Sequence, residues 1–430
     1  MIGFWGRSGE RLLTAAVVET RAARRAVEQI GVTVPQRIFD HNRVSRMGPL
    51  LERRPVARLG RMAVVTRRQD VLATLEDVEA FPTPYPNGLA GHFVLALSGE
   101  ARRRGRAVLA DVLHDSDQAP LGALAGEVAA HLISERSPRS GAGELAVGAD
   151  LVHPLLDTVV REYVGLREPD QVTLLAWSRL IFQDIFLNTW RYPSIHDEGR
   201  AAAHELAAEV RTELLARQDT DDPHRDDLIG RLLRERNDPG FPFTEQQLVD
   251  NIVGLAIGWL WHSAKAALLA VDGLLDRPEA LVLARRAARA RPEPDLPALR
   301  RLVWETLRFR PVQVGLPRVC PAEATVAPRT SRATTIPAGS SVLVATHAAM
   351  WDRTAVPDPS RFDATRAPGQ YLIFGHGEHR CLGEGIMREQ LPAMLAPLLA
   401  LDGLDRAQGP RGRLSWVGPA PDDLLVQFWR

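Results

Sequence analysis

The chain has 430 residues, 45% hydrophobic and 25% charged, an ordinary globular composition long enough to bury a large core. Its 53 basic residues balance 53 acidic ones, which removes the electrostatic case for nucleic acid or an anionic membrane as partner. Two cysteines, Cys320 and Cys381, are too few for a disulfide framework and point to a reducing, cytoplasmic setting.

Helical periodicity dominates, and no internal repeat interrupts it. Met1 to Thr20 carries Arg7, Glu10 and Arg11 among its apolar residues, so it reads as neither signal peptide nor anchor. A first helix is expected over Arg11 to Ile30, and a strand over Met62 to Val65. Phe81 to Phe93 follows, a loop with three prolines and the aromatics Phe81, Tyr85 and Phe93. Helices are expected over Arg102–Leu113, Leu121–Ser134, Leu151–Val164, Val172–Phe186 and Ala201–Arg217.

The next helix has a marked start. Thr244-Glu-Gln-Gln247 is a capping-box pattern, in which the threonine side chain and the glutamine three residues on satisfy each other's backbone amides. The apolar stretch Ile252 to Val271 continues it to about Leu275. That stretch contains His262 and Lys265 and reads as a buried core helix rather than a membrane span. Lys265 is the only lysine in the chain. Beyond a proline-rich loop, Arg291 to Pro297, strands are expected over Ser341–Thr346 and Leu424–Trp429. Mostly helix with a small mixed sheet and no linker gives an α+β class in a single domain, residues 1–430.

The stretch with the most chemistry is Phe374-Gly-His-Gly-Glu-His-Arg-Cys-Leu-Gly-Glu-Gly. A cysteine acts as a metal ligand only as a thiolate, and a thiolate needs donors around it. Glycines ahead of Cys381 let backbone amides turn toward the sulfur and let the chain pass flat beneath a planar ring. Gly383 lets the next helix start close by, with its positive end near the sulfur. A zinc cluster of His376, His379 and Cys381 lacks a fourth ligand at suitable spacing.

In this loop Phe374, Gly375, Gly377, His379, Arg380, Cys381 and Gly383 resemble the cysteine-loop signature of cytochromes P-450 residue for residue. The resemblance implies the P-450 fold, non-covalent haem b and Cys381 as the axial sulfur ligand. It extends over about Glu100 to Trp429. Glu305 and Arg308, three apart on one helix, with Arg361 in Pro-Asp-Pro-Ser-Arg361, resemble the family's buried Glu-Arg-Arg triad. Arg318 and His379 resemble its propionate partners. The run Arg102-Arg-Arg-Gly-Arg106 falls where the family has a further haem-contacting helix, with Arg106 as the candidate and the choice among the arginines open.

One element departs from the family. Typical members carry an acid and a threonine on the helix above the haem, which bring protons to bound dioxygen. Here the stretch reads Ala256-Ile-Gly-Trp-Leu-Trp-His-Ser-Ala-Lys265, with no carboxylate in either alignment register. The favoured register puts Trp261 and His262 at those two sites and Ser263 next.

Three readings stay open. One is a monooxygenase with His262 or Ser263 as substitute relay. Another is peroxide-dependent oxidation. The third is a rearrangement, coupling or group transfer in a dry pocket crowded by Trp259 or Trp261. Tryptophans two apart point to different sides of a helix, so only one of them can face the haem. A haem-binding scaffold or sensor is the non-enzymatic alternative.

The proline- and aromatic-rich loop resembles the family's substrate cover and implies an apolar or amphipathic small molecule in secondary metabolism. A ferredoxin-type protein is the electron donor the resemblance implies.

Overall fold

The computed structural model describes residues 56–85, 92–136, 141–188, 192–219, 225–417 and 420–429. The helix expected over Arg11 to Ile30, and Pro86 to Gly91 of the covering loop, lie outside the described residues.

The helices follow the apolar periodicity. In chain order α1 spans Arg68–Glu76, α2 Gly99–Val112, α3 Gln118–Arg136, α4 His153–Val159, α5 Gln171–Phe182, α6 Pro193–Asp219 and α7 Leu228–Glu235. The long central helix comprises α8, Glu245–Ile257, and α9, Ser263–Leu275, joined without a break by a π turn over Gly258–His262. Then follow α10, Pro278–Ala288, and α11, Leu296–Phe309. Two short or late helices, α12, Thr346–Ala349, and α13, Glu384–Leu399, complete the set.

Both halves of the Thr244–Gln247 capping box form, with the Gln247 amide 3.2 Å from Thr244 Oγ1 and the Thr244 amide 2.9 Å from Gln247 Oε1. The helix it starts is long and apolar enough to cross a membrane, but most of its apolar stretch is buried inside the protein. The proline-rich loop ends earlier than its composition implies. Pro297 stands in the first turn of α11, where its missing N–H costs nothing, and Asp295 caps the helix by accepting from the Ala298 amide.

A four-stranded mixed sheet runs β1 (Val56–Leu59), β2 (Met62–Val65), β7 (Ser340–Val344), β4 (Leu316–Cys320) in spatial order. β2 and β7 are parallel, with Met62 opposite Ser341, and the outer pairs are antiparallel. The expected strand over Ser341–Thr346 stops at Val344, because Thr346 begins α12. A second sheet brings β3 (Ala142–Ala146) and β8 (Asp402–Arg406) against the last strand, β11 (Leu425–Trp429), and two short ladders pair β5 (Ala324–Val326) with β6 (Thr334–Ile336) and β9 (Trp416–Val417) with β10 (Ala420–Pro421).

One large apolar cluster contains most of the central helix, and a smaller one lies under the mixed sheet. Helix α13 packs along α3 at glycines. A Cβ on Gly122 would stand 3.2 Å from the Glu389 Cβ, tighter than nearly all real contacts. That close crossing positions the start of α13, and with it the cysteine.

Candidate functional site

Cys381 lies two residues before Gly383, the N-cap of α13. Gly375 and Gly377 take φ of +77° and +69°, a region open to glycine and costly for other residues. The Cys381 amide donates to the Phe374 carbonyl at 3.0 Å and closes the loop on itself. Gly383 follows as the cap of α13, and a Cβ there would approach the sulfur to 3.9 Å.

Cys381 is an exposed residue, although protein atoms crowd closely around its sulfur. Burial pushes the thiol's pKa up, while the amides of Gly383 and Glu384 and the Arg106 guanidinium pull the other way. Those donors do not by themselves make a thiolate. A bound metal ion does, since coordination deprotonates a thiol outright.

Beside the loop stands a cluster of bases. Helical spacing puts Arg102 and Arg106 on one face of α2, and both reach the loop. Arg106 donates to the Arg380 carbonyl at 2.8 Å, and the buried Arg102 donates to the Glu378 carbonyl and lies 3.5 Å from His379 Nε2. Arg103 and Arg104 face outward. Of the arginines in this run, Arg102 and Arg106 are thus the two that reach the loop.

Arg318 is 3% exposed, and its Nε and Nη2 have no partner. His379 Nδ1 is likewise buried and unpartnered. Burial and the three arginines lower the His379 pKa to about 3, so its ring is neutral and donates through one nitrogen. Orphaned buried donors beside a sulfur at a helix N-terminus match what a haem requires, namely acceptors from two propionates and a thiolate below the iron. The residues fit the group.

The charge network behind the loop differs from expectation in one member. Glu305 and Arg308 are fully buried and meet through two bonds of 2.8 and 2.9 Å. The second guanidinium on Glu305 is that of Arg366, at 3.2 Å, and not that of Arg361. Arg361 is exposed and contributes only its carbonyl, which accepts from Arg308 and Arg366. Five residues beyond Arg361 the chain turns back, and Arg366 is the arginine it carries inside. The Asp363 amide and the Tyr371 hydroxyl complete the Glu305 shell at 2.9 and 3.2 Å. Nothing in the local pattern around Arg366 marks it, whereas Pro-Asp-Pro-Ser marks Arg361.

Above, the central helix sorts its polar residues by face. Trp259 donates to Gln390 of α13 at 3.1 Å and stacks near Tyr163. Ser263 is 2% exposed and donates to Met387 of α13 at 3.2 Å. Ser263 is thus a packing contact between two helices and does not join His262, contrary to its expected place in a relay.

Trp261 and His262 turn elsewhere, toward Phe182 and Phe186 at the end of α5. The His262 ring lies 4.7 Å from Phe182 and 5.1 Å from Phe186, and Trp261 lies 6.1 Å from Phe182. Phe186 in turn meets Tyr85 of the covering loop, 5.9 Å away, and Tyr85 is close enough to Arg318 to feel its charge. These aromatics form a wall from the covering loop to the π turn. A Cβ on Gly258 would meet nothing within 4 Å, so the helix borders open space there. Such π turns commonly occur where a helix serves a site.

Burial, then the nearby Lys265, lowers the His262 pKa to about 4, and a hydrogen bond to the Gly258 backbone opposes that. That bond uses one ring nitrogen and leaves the other as an acceptor. Lys265 is 5% exposed, and burial lowers its pKa to about 8. No carboxylate pairs with it among the described residues.

The comparisons agree with this architecture. The Cytochrome P-450 family profile matches residues 282–401. The chain is 30% identical over 388 residues to mycinamicin IV hydroxylase/epoxidase of Micromonospora griseorubida, covering 86% of this chain and 91% of that one. It is 33% identical over 273 residues to the cyclomarin C epoxidase of Salinispora arenicola, 61% of this chain and 62% of that one. The crystal structure of CalO2 superposes with a TM-score of 0.74 at 25% identity, covering 91% of this chain and 98% of that one. The chain therefore belongs to the cytochrome P-450 family and is a monooxygenase-type oxidoreductase whose cofactor is haem b.

Proposed function

We propose that the protein oxidises an apolar or amphipathic small molecule of secondary metabolism, with Cys381 as the axial ligand. The observation that carries this reading is Cys381 at the start of α13, under the Gly383 and Glu384 amides and beside the unpartnered donors of Arg318 and His379. The hydroxylase and epoxidase named above act in the same class of chemistry. When bound, the haem supplies activation of the oxidant and transfer of oxygen to the substrate. Arg102, Arg106, Arg318 and His379 hold the propionates, while Phe374, Gly375 and Gly383 shape the floor under the ring. Residues 1–430 act as one catalytic domain in the cytoplasm, and a ferredoxin-type protein delivers electrons.

In the pocket, Tyr85, Phe182, Phe186 and Trp261 orient the substrate and exclude water. His262 holds a proton acceptor at its free ring nitrogen. Charging that ring at neutral pH costs on the order of 4 kcal/mol, by the distance of its pKa of about 4 from pH 7. The lack of a carboxylate on this stretch of the helix favours a second reading in which peroxide, or a substrate needing no proton delivery, replaces dioxygen.

Turnover of a hydrophobic substrate panel decides between them. With a ferredoxin, its reductase and NADPH, product coupled to electron consumption is expected, and His262→Ala should uncouple the two. Equal coupling in that variant removes His262 from the reaction. Product formed with hydrogen peroxide alone, and none with the electron donors, establishes the second reading.

A further inference from the structure

The distal helix carries one buried donor without an acceptor among the described residues and, a turn further on, a buried lysine without a counter-charge there. The indole Nε1 of Trp261 is fully enclosed without an acceptor, in a residue 5% exposed. Lys265, one helical turn on, is also 5% exposed and forms no ion pair among the described residues. Residues four apart in a helix are neighbours on its surface. Between them in sequence, His262 feels the Lys265 charge and shares Phe182 with Trp261 as a ring neighbour. This stretch of helix thus sets an indole N–H and an imidazole against the same aromatic residues, with a buried amine close enough to the imidazole to affect its charge and no carboxylate among residues 256–265.

Burying an amine without an acceptor is costly, and so is burying an indole N–H. Unpaired buried polar groups of this kind concentrate where a ligand completes them. A neutral apolar substrate would leave both donors unmet. An anionic oxygen pair would meet both, because each oxygen of a carboxylate accepts independently.

We propose that the substrate carries a carboxylate, held by the Lys265 amine and the Trp261 indole N–H while the aromatic wall takes its apolar body. This rests on the reading of the pocket as a small-molecule site, and it adds the substrate's chemical class. His262 then borders the anchored group, and selectivity for acids over their neutral analogues resides in Lys265.

The single lysine makes the test direct. Holoprotein labelled with [15N]lysine has one side-chain amine signal, which can be followed while decanoate, 4-phenylbutyrate and their primary amides are titrated in. Affinities are read in parallel by calorimetry. The expected result is an acid preference of tenfold or more with a shift of the lysine signal; the preference is lost in Lys265→Met and kept in Lys265→Arg. Trp261→Phe should reduce the preference by a smaller factor. Equal binding of acid and amide, a lysine signal unmoved by every acid, or a preference that survives in Lys265→Met each overturns the proposal. The carbon monoxide difference spectrum of the same samples separates this from the wider reading. A missing thiolate band defeats the oxidoreductase assignment at Cys381, whereas a normal band without acid preference defeats the anchor alone.

Discussion

Two buried charged residues, Glu305 and Lys265, are treated by the chain in opposite ways. Glu305, behind the cysteine loop, receives Arg308, Arg366, Tyr371 and a backbone amide. Lys265, on the central helix, receives no counter-charge among the described residues. A buried charge with a complete shell holds its surroundings in one geometry. A buried charge without one lowers stability, and its retention points to use rather than support. The proximal half is therefore built to stay still, and the distal half is left incomplete for a partner.

The comparison breaks most easily at the cysteine. Cys381→Ser should abolish the thiolate band in the carbon monoxide spectrum and remove turnover, with the far-ultraviolet circular dichroism unchanged. Next in size is the proximal hub. Glu305→Gln leaves Arg308 and Arg366 buried beside a neutral amide, and chemical denaturation should show a loss of about 3–5 kcal/mol. Wild-type stability in that variant would mean the network is ornamental.

The distal site should respond with the opposite sign. The folded-state pKa of Lys265 lies near 8, below the ordinary 10.5, so the unfolded chain binds more protons between those values. Stability rises with pH across that window, and the penalty is fully present below pH 8. Ligand-free Lys265→Met should therefore be more stable than the parent by about 3 kcal/mol at pH 7, with the gain fading by pH 10.5. Urea denaturation at both pH values measures it, and a destabilised variant would show that the amine has a partner.

Smaller effects sharpen the picture. Thr244→Ala removes half of the capping box and should cost about 1 kcal/mol. Arg361→Ala should fall within about 0.5 kcal/mol of the parent, since only its carbonyl takes part in the network. A large loss there would return Arg361 to the place that Arg366 holds.

What sequence reading could reach was local. Helix α8 begins just after Thr244 because Gln247, three residues on, supplies the reciprocal half of the cap. Glycines at 375, 377 and 383 and the cysteine lie within nine residues, so the loop's chemistry is written in one segment. Glu305 and Arg308 pair because they are three apart on one helix. Trp259 and Trp261 diverge because two helical steps turn a side chain to another face.

The remaining choices needed the third dimension. Whether Arg361 or Arg366 meets Glu305 depends on where an irregular segment turns inward, and no periodicity governs such a segment. Arg102 and Arg106 both serve the loop because α2 crosses it along one face. Ser263 and His262 are adjacent in sequence, yet one packs on α13 and the other on α5. The isolation of Lys265 is the clearest case: composition shows one lysine, but only packing decides that no carboxylate of the described residues pairs with it. Sequence determines what each segment is able to do by itself, through spacing and backbone preference. Tertiary structure decides which groups, distant along the chain, share a low-dielectric space, and there the presence or absence of one partner outweighs any local propensity.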